Sequence, residues 1–78
     1  MIKPYKYLDF NNSVIVIGAM ILKILKTNNK IKYEKVLKQI INSNGENGKF
    51  VFPQALSFLF LLGKIEYLKE TDELELLL

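Results

Sequence analysis

The sequence predicts a small α+β domain: three helices followed by a β-hairpin, with a short N-terminal arm. Three observations carry this reading. Apolar residues recur at helical spacing between Val14 and Ile41 and again between Phe50 and Leu62. The end of the chain alternates apolar and charged residues on both sides of a polar turn. The length, 78 residues, makes one domain rather than two. A chain so short buries only about 60% of the surface that its unfolded form exposes.

The elements follow in order. Residues 1–11 read as an arm or short strand, because Tyr5, Tyr7 and Asp9 give the stretch an alternating character and Pro4 suits only an edge. Asn11, Asn12 and Ser13 are helix-start residues, whose side chains accept bonds from the first free N–H groups. A first helix is expected from about Ser13 to Lys26. Its apolar residues cover nearly the whole circumference, and a helix apolar all round is buried all round. Gly18 weakens it by about 1 kcal/mol relative to alanine, or lets another backbone approach.

Thr27–Lys30 reads as a turn. In the second helix, about Lys32 to Asn42, the residues Tyr33, Val36, Leu37, Ile40 and Ile41 form one stripe at i, i+3, i+4, i+7 and i+8. The asparagine- and glycine-rich stretch Asn42–Gly48 is expected as a loop. Phe50–Phe52 leads into a third helix with Pro53 in its first turn and Gly63 at its left-handed end. There Leu56, Leu59 and Leu62 form the core side, Phe58 and Leu61 point outward, and Phe60 lies on the boundary. Residues 64–78 form the hairpin, with a turn at Glu70–Asp72. Helix, helix, helix, hairpin is the chain order of a winged helix-turn-helix.

Composition excludes much chemistry. The chain has no cysteine and no histidine. Thiol nucleophiles, serine–histidine triads, histidine bases and zinc fingers are therefore ruled out. Glu66, Glu70, Asp72, Glu73 and Glu75 are the only acidic cluster, and they read as the wet face and turn of the hairpin rather than as an acid–base pair. NGENG is glycine-rich but has no lysine at phosphate-loop spacing and follows no strand. The expectation is a protein that is not an enzyme and uses no cofactor. No apolar run reaches the roughly 20 residues needed to span a bilayer, and the N-terminus lacks the apolar segment of a secretory signal. A cytoplasmic location without membrane contact is expected.

The charges are unevenly placed. Residues 1–49 carry a net +6 and residues 50–78 a net −3, with all eleven basic residues lysine. Lys32, Lys35 and Lys38 are three apart and are candidate phosphate contacts for weak, non-specific DNA binding. Sequence-specific readout is not expected. The third helix is where a winged helix enters the major groove. Here it offers Gln54 and Ser57 but no basic residue, and the wing is acidic. A DNA-binding winged-helix transcriptional regulator is thus the second reading, and a small antitoxin or inhibitor is a third. Half the residues are hydrophobic, a load that a small core cannot absorb. Ile15 and Met20 on the first helix and Phe58, Phe60 and Leu61 on the third are the candidate protein-interface residues.

Two stretches carry a family resemblance. One runs from Pro4 through Asn12–Ser13 to an apolar helix with Gly18–Ala19 and Ile24–Leu25. The other is Ala55–Glu66, of the form ALxxLxxLGxIE. Together they resemble the small middle components of bacterial ABC-three-component systems, which overlap the Lamassu antiphage defence systems. The resemblance implies a non-catalytic adaptor. It would link an SMC-like, ABC-type ATPase subunit that senses DNA to an effector subunit, often a nuclease.

Overall fold

The structure, a computed structural model, describes the backbone of residues 5–77 and the side chains of residues 13–77. The order is α1 (Tyr5–Thr27), β1 (Lys30–Lys32), α2 (Tyr33–Leu61), β2 (Ile65–Leu68) and β3 (Glu73–Leu76). The α+β class is as expected, built here from two helical elements and a three-stranded antiparallel sheet.

Helix α1 begins at Tyr5, so the extended arm expected over 1–11 is corrected from that residue on. Met1–Pro4 lie outside the described residues. Asn11, Asn12 and Ser13 fall inside the helix instead of capping it. No glycine or proline stands between Tyr5 and Ser13. Once the packed part of a helix exists, each added residue contributes a hydrogen bond without a new nucleus. At the far end, the Thr27 hydroxyl donates to the Ile24 carbonyl at 2.6 Å.

The burial of α1 is one-sided, which corrects the expectation of burial all round. Ile17, Ile21 and Leu25, spaced by four, are sealed, and Val14, Met20, Leu22 and Ile24 are half-buried beside them. Ile15, Val16 and Ala19 face away from the core. An apolar circumference does not supply partners for every face, and the other described residues cover only one.

The separate second and third helices of the expectation are one element, α2, bent at Gly45. The predicted loop Asn42–Gly48 is helical except at Gly45, whose φ of 67° and ψ of −150° lie in a region open essentially to glycine alone. The bend doubles the chain back. A Cβ on Gly48 would stand 3.0 Å from the Ile40 carbonyl oxygen. In a straight helix residues eight apart are about 12 Å apart along the axis. Pro53, expected in a first turn, sits within the helix well past Gly45, on its exposed side. It costs the helix one N–H donor.

The C-terminal end of α2 is as the sequence indicates. Gly63 has a φ of 70°. Its N–H donates to the Phe60 carbonyl at 3.0 Å, and the Lys64 N–H donates to the Leu59 carbonyl at 3.0 Å. These two bonds are the Schellman pattern, which satisfies the last free carbonyls of a helix.

The sheet order is β1-β3-β2, with β3 in the middle. In the hairpin Tyr67 pairs with Leu74 and Glu66 with Glu75. Asp72 takes the left-handed conformation at the turn, with φ 55°, which a short carboxylate side chain tolerates. Strand β1 replaces part of the expected turn and the first residue of the expected second helix. Lys-Ile-Lys alternates, and Ile31 faces the core opposite Leu74. The core joins α1 (Ile17, Ile21, Leu25) to both arms of α2 (Val36 and Ile40; Phe52, Ala55 and Leu59) and to the sheet through Ile65 and Leu74.

Candidate protein-interaction face

The second arm of α2 has an unusual surface. From Phe50 to Gly63 the chain carries no charged residue. The inward side is Val51, Phe52, Ala55, Leu56 and Leu59, all buried. Phe50, Gln54, Ser57 and Leu61 follow at i, i+4, i+7 and i+11, so they share the opposite face. All four are exposed, Phe50 by 67% and Leu61 by 88%. Pro53, Gln54, Ser57, Phe58 and Leu61 line a shallow hollow of about 320 Å³ along this side.

Phe58 and Phe60 are each 40% exposed. They leave the helix on opposite flanks, because residues two apart differ by about 200°. Phe60 flanks a second groove, described below. Leu62, expected on the core side, is 54% exposed. It is the capping residue, where the helical direction ends, so the periodicity that placed it inward no longer applies. Phe50, which is not among the interface residues expected from the sequence, belongs to the stripe. The signal was available as the absence of charge on a helix whose other face is already buried.

The two α1 candidates separate. Ile15 is 57% exposed and stands beside Val16 and Ala19 on the open side of the helix. Met20 is half-buried, and its Sδ accepts a bond from Asn44 Nδ2 at 3.5 Å near the bend of α2. Asn44 also donates to the Ile40 carbonyl at 3.0 Å.

The lysines are dispersed. Lys32 ends β1 rather than starting the second helix, and its Nζ donates to the Thr71 carbonyl in the hairpin turn at 2.7 Å. Lys35 and Lys38 are exposed on the first arm of α2, and Lys23 and Lys26 on α1. The three-lysine stripe expected on one helix face is thus two helical lysines and one sheet lysine that braces the turn.

The acidic residues of the hairpin are also spread. Glu66, Glu73 and Glu75 point to the open face of the sheet, where Lys30 lies 4.0 Å from Glu75. Asp72 accepts a bond from the Tyr67 hydroxyl. That bond, above all, holds the Tyr67 pKa above its ordinary 10.0, since a phenolate there would face a carboxylate. Among the described residues no three acidic side chains converge as metal ligands would. No helix among them is long and apolar enough to cross a membrane.

Residues 29–77 match the family model of the ABC-three component (ABC-3C) system Middle Component 8. That is well over half of the chain. The chain belongs to this ABC-3C middle-component family. No curated protein and no solved structure matches it. The match takes in β1, α2, β2 and β3, so the uncharged stripe and the hairpin lie within the family's segment and α1 precedes it. Of the two stretches that carried the resemblance, Ala55–Glu66 lies inside the match and the helix with Gly18–Ala19 lies outside. As a middle component, the chain is one part of a system with further subunits.

Proposed function

We propose that this middle component is a non-catalytic adaptor that joins an SMC-like, ABC-type ATPase subunit to an effector subunit, a nuclease, in an antiphage defence complex. The uncharged, solvent-facing stripe of α2 carries the reading. Exposed apolar residues on a helix of a multi-subunit system mark a surface that another subunit covers. Phe58 and Leu61 are its anchors, since buried aromatic residues supply much of an interface's energy.

The topology supports a winged-helix-like description. Helix, strand, bent helix pair and hairpin occur in that order, with the last strand central in the sheet. In such a domain the second arm of α2 occupies the place of the helix that enters DNA. Phenylalanine and leucine there, beside a hairpin with three glutamates on its open face, favour a protein partner over a phosphate backbone. Ile15 offers a further apolar contact on the far side of α1.

The test is capture of the co-expressed subunits by tagged wild-type chain and by Phe58→Ala. The variant is expected to stay folded by circular dichroism and to lose capture by at least about 2 kcal/mol in binding energy. Wild-type capture by a folded Phe58→Ala would remove this face from the adaptor role.

A further inference from the structure

The sheet has two edges of unlike character. Strand β1 is three residues long, and its backbone groups that point away from β3 belong to Lys30 and Lys32. Short length and lysines are the usual protection of an edge. Strand β2 is the other edge, and among the described residues no strand pairs with its outer side. The Lys64 carbonyl accepts from the Leu77 N–H at 2.8 Å. Hydrogen-bonded pairs alternate in an antiparallel ladder, so Glu66 and Leu68 bond to β3, and the N–H and C=O groups of Ile65 and Tyr67 point outward.

Both faces of this edge have a chemical preference. On the helix side, Tyr33, Pro53, Leu56, Phe60, Tyr67 and Leu74 line an apolar groove of about 300 Å³. Its aromatic wall is braced: the Tyr33 ring meets Phe52 edge-on at 5.4 Å and Tyr67 at 6.4 Å. On the open side, Glu66 lies directly opposite Glu75, an unfavourable like-charge pair. Glu75 has Lys30 beside it, while Glu66, at the edge, has no ion-pair partner among the described residues.

We propose that the β2 edge binds an extended segment of a partner protein in which apolar residues alternate with basic ones. The segment adds a fourth strand by bonding to Ile65 and Tyr67. Its apolar side chains enter the groove, and its basic side chains reach Glu66 on the open face. Two-fold pairing of β2 with a second copy would bring two Glu66 carboxylates to neighbouring positions, which disfavours that occupant. The proposal deepens the adaptor reading by giving the chain a second contact, separate from Phe58 and Leu61.

Hydrogen-exchange mass spectrometry on the full chain, with a millimolar peptide of alternating lysine and valine, tests it. Exchange in the segment 64–69 is expected to slow at least tenfold with this peptide and not with one of alternating glutamate and valine. Glu66→Lys, which places a cation opposite Glu75 and so is expected to fold, should weaken the effect about tenfold. Phe58→Ala should leave it unchanged, so loss of the edge site and loss of the adaptor interface are read separately. No slowing in 64–69, or equal slowing in Glu66→Lys, overturns the proposal. Slowing that rises with protein concentration in the absence of peptide also overturns it, by assigning the edge to a second copy.

Discussion

Gly48 lies against Ile40, eight residues earlier in the same helical element. A Cβ at position 48 would stand 3.0 Å from Ile40 Cγ2, 3.0 Å from the Ile40 carbonyl oxygen and 2.8 Å from Asn44 Cβ. Two of these atoms are backbone or the first atom of a side chain, so they cannot swing aside. Gly48→Ala should therefore destabilise the domain by about 1–3 kcal/mol as an overpacked site. Gly45→Ala should cost a similar amount for a different reason, its backbone conformation. Urea denaturation of both variants measures this, and wild-type stability in either would mean that the bend is not held as described.

Gly18 makes the opposite case. Among the described residues a Cβ there would meet only the Leu59 side chain, at 3.8 Å, which is ordinary contact. Gly18→Ala should stabilise by about 0.5–1 kcal/mol, because alanine favours the helix and restricts the unfolded chain. A rise in the thermal midpoint checks it.

The contrast among these glycines shows what the sequence could and could not convey. The stripe from Tyr33 to Ile41, the inward placement of Leu56 and Leu59, the turn at Gly63 and the hairpin were legible, because each follows from spacing or from one residue's conformational preference. The helical state of Asn42–Gly48 was not. Asparagine and glycine weaken a helix, yet packing of both arms of α2 on α1 overrides that local preference everywhere but Gly45. Strand β1 was hidden for a related reason. Three residues carry almost no periodic signal, and Lys30–Lys32 become a strand only because β3 arrives from more than forty positions away. At the candidate site, Phe58 and Leu61 could be placed outward from helical geometry. Leu62 could not, since it stands where that geometry ends.

Leu59 and Phe58 are neighbours with different duties. Leu59 is 2% exposed and belongs to the core cluster, so Leu59→Ala should cost about 2–5 kcal/mol. Phe58→Ala should change stability by less than about 1 kcal/mol. Thermal unfolding of the two variants separates them, and equal losses would place Phe58 in the core rather than on the interface.

The Tyr67–Asp72 bond gives the hairpin a signature at high pH. The folded protein holds the Tyr67 proton more tightly than the unfolded chain does. The associated stability is fully present below the ordinary tyrosine pKa of 10.0 and is lost as pH rises past it toward the raised folded value. Tyr67→Phe removes this component. The stability difference between wild type and variant should therefore shrink as pH is raised above about 10, as seen in denaturation midpoints. A difference that stays constant across that range would separate the bond from the stability of the hairpin.

The most direct measurement of the adaptor role is native mass spectrometry of the co-expressed system with and without this chain. With the chain present, an assembly that holds the ATPase, the middle component and the effector together is expected. Without it, ATPase and effector should appear as separate species, and Phe58→Ala should reproduce that separation. A complex of ATPase and effector that forms equally well in the absence of the middle component would contradict the adaptor role.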